Sequence, residues 1–276
     1  MGSGAYGLKL ISYNENNPQK DLPKVNATAL VCNDKTGEPL AILNAAPITS
    51  YRTGAAAATG AKYLAKTNSK NLLIVGTGNI AKYSTAATLY LMSSIENVYL
   101  YNPRRVIDNT ELSIFKEDIK RLLNEADKKL NVEFNIVNDI NKITSISDII
   151  ITATPSEEAL INKDWVRPGT HFSCMGACMA GKQEIDENIF TKARIFADDE
   201  KQCLKQGETQ CAYNKSIVSN FDGEIGDVIL NKKVGRSSND DITIFDSTGL
   251  FLQDLSTSIE LIKEANKKNI GIEIEL

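Results

Sequence analysis

The sequence predicts an α/β fold with a doubly wound parallel sheet, accompanied by a smaller α+β lobe built from both chain ends. Short apolar segments of strand length recur through the middle of the chain, and amphipathic helical patterns separate them. This alternation is typical of βαβ units that form a parallel sheet. A β-hairpin pattern near the start of the chain lies outside this alternation and predicts the second lobe.

The elements follow in chain order. Residues 28–32 and 39–43 flank the turn residues 33–37, which predicts the hairpin, and the Ala-rich residues 55–66 predict a helix. Five apolar segments predict parallel strands, at residues 72–75, 98–101, 132–136, 149–152 and 242–245. Further helices are predicted at residues 82–92, 114–129 and 250–268, and the alternating residues 270–276 predict a last strand.

These elements predict two domains. Residues 55–252 would form the α/β domain, and residues 1–54 with 253–276 would form the smaller lobe. In this arrangement the terminal helix and strand return to the lobe where the chain began.

Composition and charge exclude several classes of protein. The 276 residues carry a net charge of −4, whereas a nucleic-acid-binding domain is expected to be basic. No apolar run approaches the roughly 20 residues of a membrane span, and the start lacks a signal-peptide pattern, so we expect a cytoplasmic protein without a membrane partner. A single histidine, His171, excludes a His-rich metal site, and we expect this residue to be packed in a strand.

A glycine-rich turn follows the first predicted strand of the α/β domain. Residues 76–81 read Gly-Thr-Gly-Asn-Ile-Ala and precede a predicted helix, which is the dinucleotide fingerprint in its strand–turn–helix context. Gly76 permits the tight turn, Gly78 lets a pyrophosphate approach the backbone, and Ala81 allows close packing of helix and strand. The sequence therefore predicts a dinucleotide-binding site here.

The end of the second predicted strand bears on the type of dinucleotide. Enzymes that use NAD usually carry an acidic residue there for the ribose 2′-hydroxyl. This chain has the neutral Asn102, followed by Arg104 and Arg105. The pattern favours NADP(H), with one of the arginines on the 2′-phosphate, although NAD(H) remains possible if the arginines are only solvated.

Motifs in a fixed order along nearly the whole chain resemble the ornithine cyclodeaminase/mu-crystallin family. They are Gly-Leu-Lys at 7–9, Asp-x-x-Gly-x-Pro-Leu-Ala at 34–41, Ile-Thr-Ser-Tyr-Arg-Thr-Gly-Ala-Ala-Ala at 48–57, Thr-Ala-Thr-Pro-Ser at 152–156, Gly-Thr-His at 169–171, Gly-Lys-Gln-Glu at 181–184 and Phe-Asp-Ser-Thr-Gly-Leu at 245–250. The resemblance implies a Rossmann domain beside a smaller substrate lobe that forms a homodimer contact. It also implies hydride exchange between a nicotinamide and the α-carbon of a small amino or imino acid.

The resemblance also implies roles for individual residues. Lys9 and Arg52 would bind the substrate, and an arginine fork suits a carboxylate. Lys9 would also act as a cation or proton donor beside the reacting nitrogen. Besides Gly76, Gly78 and Arg104, the cofactor would be lined by Thr53, Asn79, Ile80, Asn102, Thr154, Met175, Lys182 and Ser247.

Two departures from the family pattern qualify this transfer. The cyclodeaminases carry a catalytic aspartate where this chain has Cys178, and a thiol near its ordinary pKa is a poor substitute for a carboxylate. Asp246 is a possible replacement acid, although orienting the turn that carries Ser247 is the role we favour for it. The chain also begins just before Lys9, where relatives have several tens of further residues, so we expect a fragment or a misplaced start.

Three functions remain open at this point. Cys178 and the pattern at Asn102 favour an NADPH-dependent reductase of a cyclic or linear imine, such as Δ1-pyrroline-2-carboxylate. An ornithine cyclodeaminase that tolerates Cys178 is the second possibility. A nucleotide-binding remnant without catalysis is the third.

Overall fold

The computed structural model describes residues 4–274. Its packing divides the chain into two compact units, Met1–Arg52 with Leu250–Leu276 and Thr53–Gly249. We call them the terminal unit and the central unit. The domain boundaries predicted from the sequence lie two or three residues from these.

The terminal unit contains a three-stranded antiparallel sheet of order β1-β2-β3. Its elements are β1 (Ala5–Tyr13), a short 3-10 helix (Asn17–Lys20), β2 (Val25–Asn33), β3 (Pro39–Asn44), the start of α1 (Ala45–Leu64) and α8 (Phe251–Lys268). Side chains alternate between the faces of a strand. Ala5 and Val31 therefore point to the face that packs on Leu255 of α8, in a small buried cluster.

Two predictions in this unit need correction. Helix α1 begins ten residues before the predicted residue 55, because Asn44 Oδ1 accepts from Ala46 N at 3.1 Å and Pro47 lies in the first turn, where its missing N–H is not needed. The predicted strand at 270–276 is also wrong for residues 270–274, which form no strand. Asn269 and Gly271 have positive φ angles of 50° and 124° and turn the chain away from an extended path, and residues 275–276 lie outside the described part.

The central unit contains an eight-stranded parallel sheet of order β10-β9-β11-β8-β7-β4-β5-β6. Its strands are β4 (Asn71–Val75), β5 (Asn97–Tyr101), β6 (Glu133–Ile136), β7 (Ile149–Thr152), β8 (His171–Cys174), β9 (Ala193–Ala197), β10 (Gly223–Glu224) and β11 (Ile242–Asp246). Its helices, besides the rest of α1, are α2 (Asn79–Leu91), α3 (Asn109–Asn124), α4 (Ile140–Thr144), α5 (Glu200–Gln206), α6 (Thr209–Asn214) and α7 (Ile225–Ile229), with 3-10 turns at Lys163–Trp165 and Glu187–Lys192.

The sheet has a buried core on each face. Alternate residues of β4 enter different cores, Leu72 and Ile74 on one face and Leu73 and Val75 on the other. Strands buried on both faces read as continuous apolar runs, which is why residues 72–75 were recognisable as a strand. The predicted Rossmann-type sheet with a smaller α+β unit is confirmed.

The strand order identifies where a ligand would bind. The sheet contains the strand order of the doubly wound dinucleotide fold, here β6-β5-β4-β7-β8-β11. The order in which the strands are added reverses between β4 and β7, while the strands themselves stay parallel. Ligands of such sheets bind beyond the carboxyl ends of the strands at this reversal.

Within residues 4–274, no helix combines the length and apolarity that crossing a bilayer requires.

Candidate active site

The glycine turn after β4 is shaped for close approach of an anion. Gly76 has a φ of 108°, and a Cβ there would lie 2.6 Å from the carbonyl oxygen of Ala153. Gly78 is the N-cap of α2, has no side-chain cap, and would place a Cβ in open space. The space beside Gly78 at the start of α2 is therefore unobstructed, and since the first N–H groups of a helix lack partners within it, these residues fit the pyrophosphate of a dinucleotide.

A cleft of about 700 Å³ opens beside this turn. It is lined by residues that include Thr77, Asn102, Arg104, Arg105 and Thr154. Asn102 Nδ2 donates to Thr77 Oγ1 at 2.9 Å, and Asn102 Oδ1 accepts from Arg104 N at 3.0 Å. The Arg104 side chain is exposed and has no partner within residues 4–274.

Arg105, in contrast, is held by an acidic residue that the sequence analysis did not single out. Its guanidinium makes a two-pronged ion pair with Glu111 in the first turn of α3, with Nη2 2.7 Å from Oε1. Hydrogen bonding to Arg105 lowers the pKa of the Glu111 carboxyl, and Thr77 contributes in the same direction. The sequence signal for Glu111 is the pattern Asp108-x-x-Glu111, since Asp108 caps α3 by accepting from Glu111 N.

Loops after β7 and β8 are joined by one buried carboxylate. Glu184 accepts from Thr154 N at 2.6 Å, from Thr154 Oγ1 at 2.7 Å and from Gly176 N at 2.9 Å. It is fully buried, and burial raises the pKa of its carboxyl. Thr154 and Met175, both predicted to line the cofactor, lie in these loops and are themselves buried.

Two more buried carboxyl groups continue this arrangement. Glu208 Oε1 accepts from the N–H groups of Glu184 and Ile185, both at 2.8 Å. Asp246, at the end of β11, accepts from Glu208 N at 3.0 Å and from Thr209 N and Oγ1 at 2.9 and 2.7 Å. We refer to Glu184, Glu208 and Asp246 together as the carboxylate chain.

Within residues 4–274, no lysine or arginine side chain is a hydrogen-bond partner of the carboxylate chain. Burial and the negative charge of Glu184 raise the pKa of Glu208 well above its ordinary range, while burial raises the pKa of Asp246 to about 7. Among residues 4–274, Glu208 Oε2 has no hydrogen-bond partner. Both oxygens of Asp246 are occupied by the start of α6, an arrangement that suits a structural role better than proton exchange with a substrate.

The turn after β11 is fixed by a further carboxylate. Asp198 Oδ2 accepts from Ser247 Oγ at 2.8 Å and from Gly249 N at 2.7 Å. Ser247, predicted to meet the cofactor, is therefore held in one orientation at the carboxyl end of the sheet.

The remaining predicted residues of the central unit differ in exposure. Cys178 is exposed, Lys182 and Ile80 are half-buried, Asn79 is exposed, and Thr53 is buried in α1. His171 lies in β8, where Thr243 Oγ1 and Ser173 Oγ contact its ring nitrogens at 2.9 and 3.0 Å. Burial lowers the pKa of His171 to about 3, as expected for a packed strand residue.

The terminal unit brings the two predicted substrate residues to one buried acid. Lys9 Nζ lies 2.8 Å from Asp254 Oδ2 and donates to Thr49 Oγ1 at 3.3 Å. Arg52 Nε lies 3.5 Å from Asp254 Oδ1, and Arg52 Nη1 donates to Gln253 Oε1 at 3.1 Å. Asp254 is 2% exposed and was missed from the sequence, because only the return of α8 to β1 brings it near Lys9.

Charge counting shows what this cluster can bind. Lys9 and Arg52 carry two positive charges against one negative charge on Asp254, so one positive charge remains. Buried charges require a partner of opposite sign, and a single carboxylate would neutralise the cluster.

Comparison with known proteins establishes the family. The profile of the ornithine cyclodeaminase/mu-crystallin family matches residues 1–269. The chain belongs to this family. The resemblance found in the motifs is confirmed.

Several relatives are enzymes that act on amino or imino acids. Alanine dehydrogenase of Archaeoglobus fulgidus is 34% identical over 99% of this chain and 80% of its own. The structure of Δ1-pyrroline-2-carboxylate reductase from Thermococcus litoralis, in complex with NADH and L-proline, has a TM-score of 0.86 at 28% identity, over 98% of this chain and 81% of its own. Iminosuccinate reductase of Paracoccus denitrificans, in complex with NAD⁺, has a TM-score of 0.88 at 29% identity, over 99% and 81%.

A third structure, of an archaeal alanine dehydrogenase dimer with bound NAD, has a TM-score of 0.86 at 33% identity and covers 99% of this chain and 82% of its own. Together these relatives confirm the prediction of an enzyme of the nicotinamide-dependent oxidoreductase class.

Proposed function

We propose that the chain is an imine reductase that reduces a small α-imino monocarboxylate, with Δ1-pyrroline-2-carboxylate as the model substrate. The observation that carries this proposal is the cluster of Lys9, Arg52 and Asp254, whose one uncompensated positive charge matches one carboxylate. A dicarboxylate such as iminosuccinate would leave one negative charge unpaired at this cluster, so we place it second as a substrate.

The chain's own residues would divide the work as follows. Arg52 would bind the substrate carboxylate through its guanidinium edge. Lys9, held by Asp254 and Thr49, would donate a hydrogen bond or a proton at the imine nitrogen. The bound nicotinamide dinucleotide would supply the hydride to the imine carbon.

Residues of the central unit would hold the dinucleotide. The turn of Gly76 and Gly78 and the start of α2 would receive the pyrophosphate. The other residues predicted to line it keep their proposed roles, and these are Thr53, Asn79, Ile80, Asn102, Arg104, Thr154, Met175, Lys182 and Ser247. Glu184 would fix two of the lining loops without touching the cofactor.

The preference for NADP(H) over NAD(H) stays a prediction. The neutral Asn102 supports it, as does the Arg104 side chain, which has no partner in the described part of the chain, whereas the pairing of Arg105 with Glu111 weakens it. The three solved structures named above hold NAD, NADH and NAD⁺.

Net reduction is favoured over cyclodeamination by the surroundings of residue 178. Cyclodeamination requires a group that shuttles protons while ammonia leaves and the side-chain amine attacks. Cys178 is an exposed thiol, and within residues 4–274 no side chain forms a hydrogen bond or ion pair with it. Asp246, the predicted replacement acid, is buried with both oxygens bonded.

The experiment is to mix the purified chain with Δ1-pyrroline-2-carboxylate and NADPH, or NADH in parallel, and follow nicotinamide absorbance. We expect steady oxidation of the cofactor and formation of proline. Arg52→Gln should raise KM more than about tenfold, since a hydrogen-bonded charge pair is lost. Arg121→Gln, an exposed charge change on α3, is the matched control and should leave KM unchanged.

Two other outcomes would contradict the proposal. Proline formation from L-ornithine without net change in nicotinamide would identify a cyclodeaminase instead. No reaction of either substrate, by a folded protein that binds the cofactor, would favour a non-catalytic remnant.

We also propose a homodimer formed through the open face of the β1–β3 sheet. Leu8, Leu30 and Ile42 lie in register across that face, and Leu8 and Ile42 are 55% and 60% exposed. Apolar patches of this kind commonly mark interfaces. Leu8→Lys with Ile42→Lys should yield monomers in light scattering, and a wild-type chain that is itself monomeric would contradict the proposal.

A further inference from the structure

The carboxylate that NAD enzymes carry at the end of the second strand is absent here, because that position is Asn102. The structure nevertheless places a carboxylate from another element near this position. Glu111, in the first turn of α3, is connected to Asn102 through Arg105 and Thr77. Arg105 Nη2 lies 3.5 Å from the same Thr77 Oγ1 that accepts from Asn102.

We propose that Glu111 sets the choice between NAD(H) and NADP(H), and thus acts as a specificity-determining residue for the proposed function on which this inference rests. Its carboxylate would accept from the 2′-hydroxyl of NAD(H). The same carboxylate would repel the 2′-phosphate of NADP(H) and keep Arg105 from binding it.

The geometry supports each half of this role. The Glu111 side chain is 24% exposed and pairs with Arg105, which lines the cleft, so it remains accessible to a ligand beside Arg105. The Arg105 side chain is 56% exposed, yet both of its terminal nitrogens are engaged with Glu111. Arginine forks bind a phosphate as well as they bind a carboxylate, so Glu111 and a 2′-phosphate compete for the same donors.

Arg104 has no such competitor. Its side chain is exposed and unpaired within residues 4–274, so it is available to a 2′-phosphate whatever Glu111 does. The two neighbouring arginines are therefore not equivalent, since Arg104 is free to bind a 2′-phosphate and Arg105 is free to do so only when Glu111 releases it.

The test measures the dissociation constants of NADH and NADPH for the wild type and Glu111→Gln, by quenching of protein fluorescence or calorimetry without substrate. Glu111→Gln should strengthen NADPH binding about tenfold, since one charge-assisted contact is gained, and should weaken NADH binding a few-fold. Glu117→Gln is the matched control, because it removes an exposed acid of the same helix that pairs with Lys120. Its ratio of dissociation constants should equal that of the wild type.

A double-mutant cycle tests whether Glu111 changes NADPH affinity through Arg105. If Glu111 acts by holding Arg105, most of the gain in NADPH affinity should disappear when Glu111→Gln is made in an Arg105→Ala background. A full gain in that background would overturn the competition for Arg105.

An unchanged ratio in Glu111→Gln, with both nucleotides still bound, would overturn the proposal for Glu111 alone. Failure of the wild type to bind either nucleotide would instead overturn the proposed function and this proposal with it. Because the assay contains no imine, a wrong choice of substrate would not affect its result.

Discussion

The two units fix their candidate site residues by different means. In the terminal unit, Lys9 and Arg52 depend on a single buried acid, Asp254. In the central unit, the loops at the carboxyl ends of the strands are held by several carboxylates that accept from backbone N–H groups. The candidate site residues of the terminal unit therefore depend on one acid, whereas those of the central unit depend on several.

The largest effect should follow from removing that single acid. Asp254→Asn keeps the shape of the side chain but leaves Lys9 and Arg52 without a counter-charge, so the donors lose their fixed positions. We expect kcat/KM for the imine to fall about 100-fold, equivalent to ~2.7 kcal/mol.

Glu260→Gln is the matched control, because Glu260 is an exposed acid on the same helix. The dissociation constant of the dinucleotide should stay at the wild-type value in both variants. Equal activity of Asp254→Asn and the wild type would show that the cluster does not depend on Asp254.

A smaller effect is expected when one member of the carboxylate chain is changed. Glu184→Gln replaces one acceptor oxygen by a donor, which opposes the N–H group of Thr154 or Gly176. We expect dinucleotide affinity to fall about tenfold and unfolding free energy to fall by about 1–3 kcal/mol. Glu187→Gln is the matched control, because Glu187 lies three residues after Glu184 and pairs with Lys215, and it should leave affinity unchanged.

If Glu184→Gln lost stability but kept the affinity of the wild type, the carboxylate would serve folding only. The central unit would then bind the dinucleotide normally after the loss of one carboxylate. The difference from the terminal unit, which depends on Asp254, would be greater than we propose.

The two glycines of the turn should separate binding from stability. Gly78→Ala meets nothing within 4 Å, so its melting temperature should match the wild type while dinucleotide affinity falls at least about tenfold, since the added methyl group would lie where the pyrophosphate binds. Gly76→Ala must adopt a left-handed φ and contact Ala153, and it should lose both stability and affinity. Tight binding by Gly78→Ala would contradict the proposed pyrophosphate position.

Asp246 should make stability fall as pH rises from about 4 to 7. Its pKa is raised in the folded state to about 7, so across this range the unfolded chain loses its proton while the folded chain keeps it. Asp246→Asn should remove this slope, which amounts to at most a few kcal/mol. Denaturant unfolding at several pH values measures it.

His171 should change stability with pH in the opposite direction to Asp246. Its pKa of about 3 is lower than in the unfolded chain, so its contribution to stability grows as pH rises from about 3 to 6.5. His171→Gln should therefore steepen the fall with pH. If unfolding free energy changed with pH by the same slope in the wild type and in Asp246→Asn, the raised pKa of Asp246 would be contradicted.

The smallest effect is expected at Cys178. Because the thiol is exposed and lacks a hydrogen-bonding side chain among the described residues, Cys178→Ser should leave imine reduction within about twofold of the wild type. A loss of an order of magnitude in steady-state rate would restore Cys178 as a catalytic residue.

Local patterns allowed much of the fold to be predicted. The apolar strands of the central unit and the turn at Gly76 are recognisable because their signals lie within a few neighbouring residues. The start of α1 was predicted too late, because the prediction relied on the Ala-rich residues 55–66, whereas the helix begins at Ala45. Residues 270–274 show strand-like alternation but pair with no strand among the described residues.

The supporting residues of the site could not be predicted in the same way. Asp254 meets Lys9 across some 245 positions of the sequence. The residues neighbouring Glu184 and Glu208 in the sequence do not indicate that the fold buries both acids. Only Glu111 left a local signal, the capping pattern with Asp108, and that signal says nothing about Arg105.

The cysteines differ in burial, and this difference allows one of them to be labelled selectively. Burial raises the pKa of the thiols of Cys174, Cys203 and Cys211, and Cys32 is also buried, so these four react slowly with alkylating reagents. Cys178 alone is exposed, two residues after the Gly176 N–H that Glu184 holds. A maleimide dye should therefore attach at this one position of the unmodified chain and report on the β8 loop as a dinucleotide is added.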